Sequence, residues 1–389
     1  MKPLKKIINY FLALFILNGI LFIPFSFSFS AIQLKICQFI FLPIVVKIAQ
    51  LFQYKLLLTD FSSDSLAMYL LILILVIASL LFSLLLFYIE KRKGYNLNLE
   101  NKIRPIIRYY LTLILLIYGF SKVFKAQFYL PEPNLLYTTL GNLDKDILFW
   151  STIGSSRSYS IFLGIIEIIP AMLLLFRKTS FIGSLIATGV LLHVVAINFS
   201  YSISVKIFSL FLLILALFLA FRTIKNTWHL FQTGQFSTTD FFEPTHSFKK
   251  PFYSFVKSLL IVLLFIEALV PAIKSRNFND DKVPRPLYHG AYKVQENQWG
   301  IKRFFIHRDG YLIFQDKNDS MTDYKFQLVN KNVFLLKDYQ SKSQVGRLKW
   351  NPESRTLQLS LNSISIIGKQ IDLEQVPLLQ SQFSWTIDQ

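Results

Sequence analysis

Glu167, His193 and Lys122 invite chemistry because each interrupts a long apolar run. An ionisable side chain in such a run is costly, and in a bilayer it faces protein or water rather than lipid. Glu167 has Gly164 and Ala171 at i−3 and i+4, and His193 has Gly189 and Ala196 at i−4 and i+3. Each therefore shares a helical face with small residues, the kind of face on which helices approach closely. Lys122 stands one turn from Tyr118, Lys206 opens a further apolar run, and Asn198 and Tyr201 flank the gap before it. Glu267 belongs to the last apolar run, among the bulky Leu263, Leu264 and Val270. A carboxyl and an imidazole in a low-dielectric pocket could pass protons to a bound reducible molecule. The same residues also fit a structural role: a Glu–Lys clamp, a packing histidine, and lysines that reach the membrane interface.

The elements that hold these residues follow from composition. The chain has 389 residues, 53% hydrophobic and 16% charged, with mean hydropathy +0.45. A soluble domain carries nearer a quarter charged residues, and a disordered chain far fewer apolar ones. A bilayer core takes about 20 apolar residues per helix. Seven runs qualify: Ile8–Phe25, Leu66–Ile89, Arg108–Phe124, Ser160–Phe176, Phe181–Asn198, Val205–Phe221 and Tyr253–Ile273. Ile32–Phe52 is interrupted by Lys35, Gln38, Lys47 and Gln50 and reads as an interfacial amphipathic helix, with an extra span as the alternative.

Basic residues orient the spans. The net charge of +18 comes from 41 basic and 23 acidic residues, and in a membrane protein it points to positive-inside loops, not to nucleic acid. Lys2, Lys5 and Lys6; Lys91, Arg92, Lys93, Lys102 and Arg104; Arg177 and Lys178; and Arg222, Lys225, Lys249 and Lys250 fall on alternate loops. Seven spans with a cytoplasmic N-terminus produce that alternation and leave the C-terminal region outside the cytoplasm, as expected for a bacterial inner-membrane protein. Counting along the spans then brings Lys122, Glu167, His193 and Lys206 to the outer half of the membrane, with Glu267 at similar depth. Lys2–Lys6 followed by an apolar run and Ser26-Phe27-Ser28 also fits a cleaved signal peptide, the lesser alternative.

Beyond Pro271 the runs shorten and alternate. Tyr324, Phe326 and Leu328 are spaced by polar residues, as are Leu357, Leu359 and Leu361. Period-two alternation makes half-buried strands. Asp309-Gly310 between Phe304-Phe305-Ile306 and Tyr311-Leu312-Ile313-Phe314 marks a hairpin, and Asn351-Pro352 a second turn. Roughly eight short strands are expected, forming an antiparallel β-sandwich or small barrel.

Further residues carry a resemblance. Arg108-Tyr109-Tyr110, Tyr118-Gly119-Phe120-Ser121-Lys122-Val123-Phe124, Gln127-Phe128, Trp150, Gly154-Ser155-Ser156, Gly164-Ile165-Ile166-Glu167 and Val194-Val195-Ala196-Ile197-Asn198-Phe199 resemble DoxX-like membrane proteins. Tyr288-His289-Gly290-Ala291-Tyr292, Trp299, Arg303 and Phe383-Ser384-Trp385 resemble the extracytoplasmic β-domain attached to some of them. Two positions depart: His193 stands where relatives tend to carry Asn, and Tyr201-Ser202-Ile203-Ser204-Val205-Lys206 lacks the acid and proline of their Tyr-Asp-x-Pro-Val-Lys loop. The resemblance implies a four-helix membrane module and an association with quinone-linked redox systems. The expected organisation is an N-terminal two-span hairpin with an interfacial helix (1–104), a DoxX-like four-helix module (105–230), a cytoplasmic linker and seventh span (231–275) and an extracytoplasmic β-domain (276–389).

The sequence has no phosphate-binding glycine loop and no histidines at metal-ligand spacing, so neither a nucleotide nor a metal is expected. Cys37 is the one cysteine, which excludes an internal disulfide. Two functions lead, with a lipid- or metabolite-handling transporter third because no inverted repeats are evident. One is a redox-associated subunit binding a quinone or other apolar small molecule near Glu167 and His193. The other is a non-enzymatic scaffold or assembly factor whose β-domain docks a membrane or envelope partner.

Overall fold

Apolar runs become helices because every backbone N–H and C=O must be satisfied within the segment once water is gone. In the computed structural model, residues 3–25, 30–54, 61, 63–94, 97–234, 250–295, 299–340, 342–361 and 364–380 are described. The helices are α1 (Pro3–Phe22), α2 (Ser30–Leu51), α3 (Leu66–Lys93), α4 (Leu99–Val123), α5 (Pro133–Leu136), α6 (Lys145–Ser155), α7 (Arg157–Leu175), α8 (Ser180–Ser200), α9 (Lys206–Thr233) and α10 (Lys250–Lys274). By length and composition α1, α2, α3, α4, α7, α8 and α10 can cross a membrane; the apolar part of α9, Lys206–Phe221, is shorter. The chain is an integral membrane protein.

It divides into two units. The helical unit is Met1–Phe124 with Ile161–Arg276, and the barrel unit is Lys125–Ser160 with Asn277–Gln389. The stretch after α4 that holds α5 and α6 therefore belongs with the strands, although the sequence suggested one module from 105 to 230. The connector expected over Phe231–Pro251 includes 235–249, outside the described residues, as do Ser26–Ser28 and Phe383–Trp385.

Contacts within the helical unit sort the helix ends. Lys6 of α1 pairs with Glu90 of α3 at 2.5 Å. Arg104 of α4 donates to the carbonyls of Leu219 and Phe218 in α9 at 3.3 and 3.4 Å. Lys257 of α10 lies 5.5 Å from the ring centre of Phe176, just past α7. The N-terminal ends of α1, α4 and α10 thus gather with the C-terminal ends of α3 and α7 and the middle of α9. Lys91, Arg92, Lys93, Lys102, Arg104, Arg177 and Lys178 lie at or beside these ends. At the opposite end Phe25, past α1, stacks on Phe208 of α9 at 4.8 Å and meets Tyr118 of α4 at 5.6 Å.

Helix α2 meets α1 at that opposite end. The Gln33 side-chain amide donates to the carbonyls of Ile23, Leu21 and Ile20, Cys37 Sγ donates to Phe22 O, and the Phe41 ring sits 5.0 Å from Phe22. Residues 33 and 41 are about 12 Å apart along a helix, yet they meet the same last turn of α1. In an antiparallel hairpin they would meet residues about eight apart, so α2 crosses the end of α1 steeply. Its buried stripe is Gln33, Cys37, Phe41, Val45 and Ala49.

The strands form one closed antiparallel barrel in chain order: β1 (Gly290–Val294), β2 (Ile301–His307), β3 (Tyr311–Asp316), β4 (Met321–Asn330), β5 (Val333–Lys337), β6 (Ser343–Asn351), β7 (Thr356–Leu361) and β8 (Ile364–Gln370). β8 closes on β1 through Tyr292↔Gln370 and Val294↔Gly368. Both expected turns are present, the first with Gly310 at φ +74°, where a side chain would be strained. The barrel interior is filled by Tyr292, Phe304, Leu312, Phe326, Phe334, Leu348, Leu357, Leu359 and Ile366. Rings take the space beside glycines: a Cβ at Gly346 would strike the Phe334 ring, and one at Gly368 would strike Phe304 and Tyr292. Among the described residues the barrel interior is a packed core.

Candidate functional site

Close approach of α4 and α7 builds the central polar pair. Gly164 sits against Gly119: a Cβ on Gly164 would lie 2.5 Å from the Gly119 carbonyl oxygen and 2.9 Å from Val123 N. One turn along α7, Glu167 meets Lys122 of α4, Nζ to Oε2 at 2.6 Å. Both are buried, at 5% and 7% exposure. The Lys122 ammonium also lies 5.1 Å from the centre of the Tyr118 ring, a favourable cation–π placement. Thr112 Oγ1 donates to the Ala171 carbonyl at 3.4 Å further along the same seam. A buried pair of this kind is neutral overall, and its loss of solvation is offset by mutual attraction and hydrogen bonding.

The other predicted residues go elsewhere. Lys206 caps its own loop, donating to Ile203 O at 3.0 Å, and its ammonium stands 3.6 Å from Asp64 Oδ2. Asp64 also accepts the N–H groups of Lys206 and Ile207 at 2.8 and 3.0 Å, so it caps the N-terminus of α9. The loop 201–206 has no acid of its own; Asp64 supplies one from 142 residues away. Asn198 is buried at the end of α8, its backbone carbonyl accepting Ile203 N–H at 3.0 Å, and Tyr201 is half-buried beside it. Glu267 is half-buried on α10.

His193 is exposed on α8 and does not join Glu167. The small-residue argument picked the wrong face there. Gly189 and Ala196 are exposed with it, and α8 buries Gly183, Ser184, Ala187 and Leu191 instead. A Cβ at Gly183 would crowd Leu173 and Leu174. The face with Gly183 packs because α7 turns back onto it, and periodicity does not distinguish it from the face with Gly189.

A cavity of about 100 Å³ near the same end of the helical unit is lined by Pro24, Phe25, Asp64, Met68, Tyr118 and Phe208, among others. Tyr118 thus faces both this cavity and Lys122.

Sequence reasoning missed two networks. In the helical unit, Glu90 accepts from Tyr10 Oη at 2.6 Å and from Leu97 N–H at 3.1 Å, besides pairing with Lys6. In the barrel unit, Glu132 and Asp280 are 2% and 1% exposed. Arg308 joins them, donating to Glu132 Oε1 and to Asp280 Oδ1. Glu132 Oε2 stands 3.1 Å from His289 Nε2 and 3.7 Å from His307 Nε2. Asp280 further accepts from Arg285 at 2.8 Å and from the Leu130 N–H at 2.8 Å. Burial works to raise the Glu132 pKa, but the His289 hydrogen bond and the His307 and Arg308 charges outweigh it and bring it to about 2. Asp280 is likewise lowered, its burial outweighed by Arg285, Arg308 and the Leu130 N–H. His307 is lowered, chiefly by burial. No local pattern marks Glu132 in the sequence, because its partners His289, His307 and Arg308 lie 157 to 176 residues on. Among the described residues no group of three or more His, Cys, Asp or Glu side chains is arranged to hold a metal.

The fold and these networks define a polytopic membrane protein that carries a filled antiparallel barrel. No family model matches the sequence. No solved structure matches it. The chain is similar to "Uncharacterized protein YwoB" of Bacillus subtilis (strain 168), 26% identical over 133 residues, which are 34% of this chain and 84% of that protein. A third of this chain thus corresponds to most of a much shorter protein.

Proposed function

We propose that this protein is a non-enzymatic membrane scaffold or assembly factor, whose barrel docks an envelope partner. The observation that carries this reading is the filled interior of the barrel, which leaves its outer surface for recognition. The paired state of the buried charges in the helical unit supports it, since Lys122–Glu167 and Lys6–Glu90 satisfy each other. In this reading α1, α3, α4, α7, α8, α9 and α10 pass through the bacterial inner membrane, α2 lies in the interface, and the basic end faces the cytoplasm. The C-terminus of α10, to which the barrel unit is joined, then faces out. The helices α4, α7, α8 and α9 make up the DoxX-like four-helix module. The outer face of β4 to β6 exposes Val329 and Val345, with Tyr339 beyond β5. A photo-reactive residue at Val329 or Val345 in the full-length protein in cells should cross-link to one defined envelope protein, and the same residue at Ser354 should not. Equal, diffuse cross-linking from all three positions would defeat the reading.

A second reading has one observation in its favour: Tyr118 links the Lys122–Glu167 pair to the aromatic-lined cavity. A redox-associated subunit would bind a quinone or other apolar small molecule there. At about 100 Å³ the cavity is below the roughly 300 Å³ of ordinary ligand pockets, so Phe25 or Phe208 would have to swing aside. Under this reading Glu167→Gln abolishes quinone-dependent electron transfer in membranes while insertion stays normal; under the scaffold reading it affects stability only.

A further inference from the structure

The outer face of the barrel unit holds a cavity that neither reading uses. Leu312, Phe326 and Phe334 fill the interior, so alternate residues of β3 and β4 point outward. On that outer face Ile313 of β3 stands opposite Asp323 of β4, and Gln315 opposite Met321. Residues 125–160 belong to the same unit, and α5 ends against this face. Thr138 Oγ1 lies 3.8 Å from Met321 Sδ, and the Gln315 amide donates to Tyr137 O at 3.0 Å. A cavity of about 340 Å³ stands beside them, within the range of ordinary ligand pockets. Its apolar lining is Ile313 and Met321, and its polar lining is Asn134, His307, Tyr311, Asp323 and Tyr339.

The polar lining is rich in acceptors, and its donors are engaged. Tyr339 Oη donates to Asp323 Oδ2, and a carboxylate has room for further donors. Asn134 Oδ1 is a buried acceptor with no hydrogen-bond partner among the described residues; a donor brought in beside it would remove that cost. His307 Nδ1 accepts the Asp309 N–H at 3.0 Å, and its Nε2 faces Glu132 at 3.7 Å. The His307 and Tyr311 rings stand edge to face, 5.9 Å apart. Among the described residues no Lys or Arg lines the cavity; Lys325, opposite Tyr311 in the register, is exposed. A carboxylate, a free amide oxygen and aromatic rings all favour a donor-rich cation. Ile313 and Met321 suit the methylene stem on which lysine and arginine carry such a group.

We propose that this cavity binds a guanidinium or ammonium group on an apolar stem, as in an arginine or lysine side chain, with Asp323 as its counter-charge. Where the docking reading holds, on which this part rests, the group belongs to a basic side chain of the envelope partner. A free small cation shares the chemistry, so the test has an arm for each source. Full-length protein in detergent is titrated with acetyl-arginine amide, acetyl-lysine amide and the neutral acetyl-glutamine amide, and binding is read by saturation-transfer NMR. At least one cationic probe should bind about tenfold or more tightly than the neutral one. Asp323→Asn removes the charge at nearly constant volume and should erase that preference; the thermal midpoint checks that the variant is folded. No preference in wild type overturns the proposal, and so does a preference that folded Asp323→Asn keeps. If Asp323→Asn does not fold, Tyr339→Ala decides, at a residue 75% exposed: a preference that it lowers several-fold upholds the site, and an unchanged one overturns it. The cross-link from Val329 separates the sources. Its loss in Asp323→Asn assigns the site to the partner's side chain, and its persistence beside a lost probe preference assigns the site to the free cation. Diffuse cross-linking in wild type defeats the docking reading alone, and the probe preference still decides the cavity.

Discussion

Lys122 and Glu167 show how much one residue pair controls. Each neutralises a charge that is almost wholly cut off from solvent. Glu167→Gln leaves a buried ammonium without its carboxylate, and losses of this kind run to about 3–5 kcal/mol. The thermal midpoint of the purified protein should fall accordingly. The double variant Lys122→Met/Glu167→Leu should recover most of the loss, because a hydrophobic pair of similar volume avoids the desolvation cost. His193→Ala should change stability by less than about 0.5 kcal/mol, since the side chain is exposed. The polar type of Glu167 and its small-residue face were both legible in the sequence. Its partner was not, because Lys122 and Lys206 were equally plausible until the α4–α7 crossing put one of them within 2.6 Å. His193 failed for the complementary reason: a small-residue stripe shows where helices can pack, not which of two stripes a neighbour occupies.

Single elements depend on neighbours just as distant. Helix α9 starts under a cap that comes from Asp64, just before α3. Asp64→Ala should cost about 1–2 kcal/mol, and Asp64→Asn clearly less, since an amide oxygen still accepts the two N–H groups. Comparison of the two variants by thermal unfolding separates the cap from the ion pair to Lys206. Helix α2 has the length of a span but crosses the end of α1. In a background where Cys37 is replaced by Ser, cysteines at Ala31 and Gln50 should react with an impermeant reagent from the same side of the membrane. Reaction from opposite sides would make α2 a span and invert everything after it. Lys35 and Lys47, which interrupt its apolar run, are the residues on which the sequence favours the interface over a span.

At the scale of the whole molecule, the barrel unit carries a pH dependence. His307 resists protonation in the folded state, because burial disfavours its charged form. An unfolded histidine takes up its proton near pH 6.5, so stability falls as the pH drops through that value. Glu132 acts in the same direction at lower pH. Its carboxylate is held ionised to about pH 2, whereas an unfolded glutamate protonates near 4.5. Its contribution, on the order of 3 kcal/mol, is complete above that value and is lost as the pH falls toward 2. The unfolding midpoint of the barrel unit, followed by limited proteolysis of the full-length protein, should be flat above pH 7 and decline below pH 6. Glu132→Gln should lower the midpoint at neutral pH and flatten the decline below pH 4.5.

By itself the sequence determined the two materials of this protein, apolar helices and an alternating all-β end, because hydropathy runs and period-two patterns are local properties of the chain. It also determined that basic loops alternate, since that needs only counting. Tertiary structure decided what local patterns do not contain. It closed eight strands into a filled barrel, grouped 125–160 with that barrel, paired Glu167 with Lys122, turned His193 outward, and gathered Glu132, Asp280 and Arg308 into one network. Each of these depends on which distant segment fills the space beside a residue, and charges separated by more than a hundred residues find one another only when the backbone has already brought them together.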